Sequence, residues 1–91
     1  MINEDVFKAA SNIAELYALG RQLKAAGEDA GEVNTLMARR KREFIEQLGK
    51  VCTLEKIIGK SVNTKTTVMI VPEVNDLNGN RMVIEGKTVK I

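Results

Sequence analysis

The sequence predicts an α+β fold: an N-terminal antiparallel helical hairpin followed by a three-stranded antiparallel β-meander. Three observations carry this expectation. Apolar residues recur at helical spacing through the first half, a glycine-containing break divides that half, and β-branched residues with turn dipeptides fill the last third. The 91 residues make a single domain, 1–91, with the hairpin over 3–52, a short helical turn and connector over 53–65, and the meander over 66–91.

The first helix is predicted from about Asn3 to Ala26. Val6, Ala10, Ile13, Tyr17 and Gly20 follow spacings of four, three, four and three, and Phe7, Ala14 and Leu16 widen the stripe. Asn3 suits an N-cap, Glu4 and Asp5 suit the positive end of the helix dipole, and Ile2 is placed to pack on Phe7. Gly27 ends the helix in the left-handed conformation of a C-cap.

Asp29 and Glu32 then have the spacing of a capping box, with Asp in place of the usual Ser or Thr, and open a second helix from about Ala30 to at least Lys50. Its stripe is Val33, Met37, Phe44, Leu48 and Val51, flanked by Leu36, Ile45 and Cys52. So short a link between two helices makes them antiparallel. Thr53 to Gly59 reads as a further capped turn or as a continuation of this helix, and the residues leave that choice open.

From Ser61 the pattern changes to that of strands. Thr66 to Val71 is β-branched apart from Met69 and is expected to end at Pro72. Arg81–Ile84 and Thr88–Ile91 form a hairpin if Glu85-Gly86 is a two-residue turn, which sets Met82 opposite Val89. Asn78-Gly79 marks an earlier turn with a bulge or longer loop, because strict pairing around that dipeptide would set Asn75 against Met82.

Composition excludes several classes. About 44% of residues are apolar and 29% charged, as in a folded chain. The longest apolar run, Val68 to Pro72, is far too short to span a bilayer, so no membrane role is expected. An acidic start, Met1-Ile2-Asn3-Glu4-Asp5, is unlike a signal peptide, and a lone cysteine forms no internal disulfide; both favour a cytoplasmic location. Histidine is absent, so Cys52 has no imidazole to activate it and reads as a packing residue. Glu43 and Glu46 share a solvated helix face beside bases, with nothing marking them as an acid–base couple. An enzyme is not expected.

Two loop motifs fall short of their chemistry. Gly59-Lys60-Ser61 matches the end of a phosphate-binding loop, yet the glycine required five positions earlier is Leu54, and strand rather than helix follows. Asp76 to Asn80 alternates oxygen side chains like a calcium loop, but Arg81 and Lys87 occupy the positions that need Gly and Glu. The residues therefore predict no metal and no cofactor.

Charge distribution is the most informative feature. Net charge is −2 over residues 1–30, +3 over 31–60 and +1 over 61–91, with the excess concentrated in Arg39, Arg40, Lys41 and Arg42. At about 100° per residue from Val33, Arg40 falls near 340° and Lys41 near 80°, on either side of Phe44 in the apolar stripe. Arg39 and Arg42 fall on the polar side. Burying unpaired charges is costly, so Arg40 and Lys41 must be wet, paired or at an interface, with Glu43 or the acidic first helix as available partners.

These features predict a small non-enzymatic interaction protein that binds and occludes, or assembles with, another macromolecule. Chains of this kind occur among viral and mobile-element proteins that act on host factors or build particles. A protein partner meeting the Arg39–Arg42 cluster is favoured. The alternative is a nucleic-acid-binding regulator using the same four residues, although Phe7, Tyr17 and Phe44 lie on apolar helix faces and offer no stacking platform. A second alternative is a small phosphate-bearing ligand held between protomers at Arg40 and Lys41. The helices carry more apolar width than one partner helix covers, so a homo-oligomer, with a dimer favoured, is expected through Ile13, Leu16, Leu36 and Ile45.

Overall fold

A computed structural model describes residues 2–61, 67–84 and 86–90. Two helices, α1 (Ile2–Ala25) and α2 (Gly31–Leu48), precede the strands β1 (Cys52–Ser61), β2 (Thr67–Asp76), β3 (Arg81–Met82) and β4 (Lys87–Lys90). The α+β class is as the sequence predicts, and two helices followed by an antiparallel sheet match the expected hairpin and meander in outline.

α1 closes with a Schellman motif, in which the Glu28 amide donates to the Leu23 carbonyl and the Gly27 amide to that of Lys24. Gly27 has φ 74°, the left-handed value expected of it. At the other end, Asn3 lies inside the helix rather than at its cap. The start of α2 also differs from a capping box. Ala30 occupies the N-cap, and Asp29, one residue earlier, accepts from the Gly31 amide at 2.9 Å.

The largest correction concerns residues 53–65. No helical turn forms over the described part; instead α2 stops at Leu48, and a ten-residue strand, β1, begins at Cys52. β1 pairs antiparallel with β2, with a register shift between Leu54 and Lys56 that leaves Glu55 as an extra residue. Residues 62–66 lie outside the described set, and with them Thr66.

β2 also runs on past Pro72 to Asp76. Pro72 is buried and pairs with Ile57 on the β1 side. On its other side the third strand is interrupted: β3 pairs with Val74 and Asn75, β4 with Thr67 to Ile70. The gap thus falls opposite a residue with no N–H to give.

The predicted hairpin between Met82 and Val89 is overturned. Met82 lies opposite Val74 and Val89 opposite Val68, so β3 and β4 are two pieces of one edge strand. The turn that reverses the chain is Asp76–Asn80, where Gly79 (φ 83°) donates to the Asp76 carbonyl and the Asp76 amide donates to the Asn80 carbonyl. That is the longer loop expected there. Once it launches the chain back along β2, continuing pairs the N-terminal half of β2 on the side away from β1, which a second hairpin would leave without a partner. Gly86 serves close approach instead: a β-carbon there would sit 2.9 Å from Met69 Cγ and 3.1 Å from the Ile70 carbonyl oxygen. Glu85 and Ile91 lie outside the described residues.

The strand order β1-β2-β3/β4 leaves β1 at one edge. One face of β2, carrying Val68, Ile70, Pro72 and Val74, is buried under α1. Val6, Ala10, Ile13, Phe44, Cys52, Val74 and Ile84 form the main core, and Ala14, Ala18, Val68 and Ile70 extend it along α1. Lys87 Nζ reaches Glu15 Oε1 at 3.1 Å and ties β4 to α1. No helix among the described residues is long and apolar enough to cross a membrane.

Candidate functional site

The basic run lies in the middle of α2, with Arg39, Arg40 and Arg42 exposed and Lys41 half-buried. The two charges that interrupt the apolar stripe are accommodated differently. Arg40 Nη1 donates to both oxygens of Glu43, at 2.7 and 3.2 Å, one helical turn away. Lys41 is half-buried and lines a recess with Ile45, Leu54 and Ile57, a setting that suits a long apolar stem with a charged tip. Arg39, Lys41 and Arg42 make no ion pair among the described residues.

The four residues assigned to an oligomer interface are not brought together. Ile13 is 1% exposed in the chain's own core and belongs to no surface. Leu16 and Leu36 are half-buried, and Ile45 is 65% exposed. Leu36 lines a recess with Arg39 at the start of α2, whereas Ile45 borders β1. They sit on opposite flanks of α2, about 180° apart at 100° per residue.

Two recesses follow the side of the molecule that β1 borders. A space of about 150 Å³ opens between the helices, lined by Tyr17, Arg21, Lys24, Asn34 and Met37. A second, of about 230 Å³, lies between α2 and β1, lined by Lys41, Ile45, Leu54, Lys56 and Ile57, with Glu55 at its rim. Sequence reading could not find the second, because it depends on β1 being a strand.

On the uncovered face of the sheet, Glu73 accepts from Arg81 Nη2 at 2.6 Å and lies 3.9 Å from Lys56 Nζ, linking three strands. Val83, 86% exposed, stands beside the gap in the third strand, above Met69 and Val71.

The remaining motifs have structural roles. Gly59, Lys60 and Ser61 are in β1, so no helix follows to aim amides at a phosphate. Asp76 Oδ1 accepts from the amides of Asn78 and Asn80, each at 2.9 Å, and so holds the turn together. Cys52 opens β1 rather than lying on the edge of α2; it is buried, its Sγ lies 3.5 Å from the Leu48 carbonyl oxygen, and burial pushes its thiol pKa up. Among the described residues no group of three or more carboxylates and thiolates gathers as metal ligands would.

Comparison with protein-family models, with curated proteins and with solved structures finds nothing that matches this chain.

Proposed function

We propose that this chain is a small non-enzymatic interaction protein that binds another macromolecule, a protein above all, through the side formed by α2 and β1. The observation that supports the reading is the pairing of unneutralised charge with exposed apolar surface. Arg39, Lys41 and Arg42 have no ion-pair partner among the described residues, and Ile45 stands exposed on the flank between Lys41 and Arg42. Interfaces that bind combine such apolar anchors with steering charge. With a single thiol and nothing to pair it with, the proposal sets the protein in the cytoplasm.

Self-association as a dimer belongs to the same reading, through Ile45 on one flank of α2 or Leu36 on the other, with the buried Ile13 taking no part. A nucleic-acid-binding role draws on Arg39 and Arg42, which are exposed and unpaired on the polar side of α2. The small-phosphate reading loses support, because Arg40 already spends its charge on Glu43.

Capture from the producing cell tests the reading, comparing the wild type with Ile45→Glu and with the double variant Arg39→Glu/Arg42→Glu. A stoichiometric protein retained by the wild type and lost by either variant supports it. An identical captured set for all three, from folded variants, contradicts it.

A further inference from the structure

The two recesses share α2 as one wall, and β1 lines the second and lies against Arg21 of the first, so that the two in line mark a groove between α2 and β1. α2 supplies Asn34 and Met37 to the first recess and Lys41 and Ile45 to the second, one and two to three turns further along. β1 runs the opposite way. Gly59 lies against Arg21 at the first recess, and Ile57 and Leu54 line the second. From Asn34 to Ile45 the helix advances about 16 Å, and from Gly59 to Leu54 the strand covers about the same distance. Tyr17, Met37, Leu54 and Ile57 give the groove an apolar floor, each half-buried and packed on the core.

Its charge is one-sided. Arg21, Lys24 and Lys41 border the groove, with Glu55 the acid among the lining residues, while the ammonium of Lys56 lies 3.9 Å from Glu73 on the other face of the sheet. Arg21, Lys24 and Lys41 pair with no carboxylate among the described residues. Among those residues β1 pairs on one side, with β2, so its outer side carries backbone donors and acceptors without a strand partner. The bulge at Glu55 disturbs one end of that edge. From Lys56 to Ser61 the register with β2 is unbroken, opposite Glu73 to Val68.

On these grounds we propose that β1 accepts an extended acidic segment of a partner protein as an added strand, seated in the groove between β1 and α2. The inference rests on the interaction reading above and names the partner's chemistry. Main-chain hydrogen bonds along the edge supply affinity, and the recesses select alternate side chains. Five or six residues fill the length available. Apolar side chains of the segment meet the Ile57–Leu54 floor, and carboxylates meet Arg21 and Lys24 at one end and Lys41 at the other. The same cations oppose docking of a second copy by its own basic edge, the usual way of protecting a free strand. The opposite edge of the sheet suits the role less well, since β3 and β4 are two and four residues long and interrupted.

The test uses eight-residue synthetic peptides in which Glu or Asp alternates with Val, Ile or Tyr, against a matched set with Lys in the acidic positions. Binding to isotope-labelled full-length protein is followed by amide NMR. The expected result is at least tenfold tighter binding of the acidic set, amide shifts centred on Ile57 to Ser61, and slowed hydrogen exchange there. Methylating alternate peptide nitrogens abolishes binding, and Lys41→Glu weakens it at least tenfold. Lys41→Gln, which keeps the helix and removes the charge, gives an intermediate loss.

Equal binding of both sets, or no binding by either, overturns the proposal. Edge amides that become protected with rising protein concentration and no peptide overturn it in favour of a second copy. A cellular partner that Arg39→Glu/Arg42→Glu releases while the β1 amides stay unmoved preserves the interaction reading and overturns the added strand. Absence of any partner, with no peptide binding, overturns both.

Discussion

The guanidinium of Arg21 occupies the space that a side chain at residue 59 would need. A β-carbon built on Gly59 would lie 2.9 Å from Arg21 Nη1 and 3.3 Å from Val68 Cγ1. α1 thereby sets a cation against the backbone of the edge strand, at one end of the groove. Gly59→Ala is expected to displace Arg21 at a small cost, because the near atom is the far end of a flexible side chain. Urea denaturation should register a loss of about 1 kcal/mol or less, and the acidic peptides should bind more weakly.

Gly86→Ala is a sharper case. The added carbon would meet Met69 Cγ, Val71 Cγ2 and the Ile70 carbonyl oxygen at 2.9 to 3.1 Å, and the last of these is backbone in the central strand. We expect a loss of about 1–3 kcal/mol, typical of overpacking, measured by the same unfolding experiment. A neutral result would mean that residue 86 does not lie against β2.

Truncation separates the core from the surface. Ile13→Ala should cost about 2–5 kcal/mol, the range for a large aliphatic removed from a packed interior. Ile45→Ala, at an exposed position, should stay within about 0.5 kcal/mol of wild type while weakening partner binding. Equal losses at the two positions would contradict the placement of Ile13 in the core.

The Cys52 thiol is raised by burial, so the folded state holds its proton more tightly than the unfolded chain does. Its stabilising contribution is therefore complete below the unfolded thiol's pKa and is lost as pH rises through the folded value. Maleimide labelling of the folded protein should be slow at neutral pH and faster in denaturant. Stability should decline on the alkaline side of the ordinary thiol range, and Cys52→Ala should flatten that decline.

Removing charge distinguishes the two ion-pair settings. Arg40 and Glu43 are a solvent-exposed pair one turn apart, so Glu43→Gln should cost at most about 0.5 kcal/mol. Glu73 is more enclosed and joins Arg81 and Lys56 across three strands, so Glu73→Gln should cost more, about 1 kcal/mol. Double-mutant cycles with Arg81 measure the difference.

The two helices were legible because their buried residues keep a strict period. Val6, Ala10 and Ile13 lie on the predicted stripe of α1, with Ala14 beside it, and all four are almost fully enclosed. β1 was misread for a physical reason. The extra residue Glu55 sets Leu54 and Ile57, both packed on the same core, three positions apart, which is helical spacing. A bulge thus disguised a strand as a helical turn. The Met82–Val89 pairing was locally consistent, yet β2 offered both segments a longer partner, which only tertiary structure reveals. Of the site, the Arg39–Arg42 cluster was visible as composition. The groove was not, since Arg21, Lys41 and Ile57 come from three elements and one of them was unrecognised.

Size-exclusion chromatography with light scattering and full ultraviolet spectra, on protein isolated at low salt from the cell that makes it, addresses the central claim most directly. With one tyrosine and no tryptophan the chain barely absorbs at 280 nm, so bound nucleic acid would dominate the spectrum near 260 nm. Binding of a protein partner predicts a mass above that of the free chain, a spectrum free of a 260 nm peak, and loss of the complex in Ile45→Glu. A co-eluting 260 nm peak that high salt strips away would contradict it and make the basic run a nucleic-acid site.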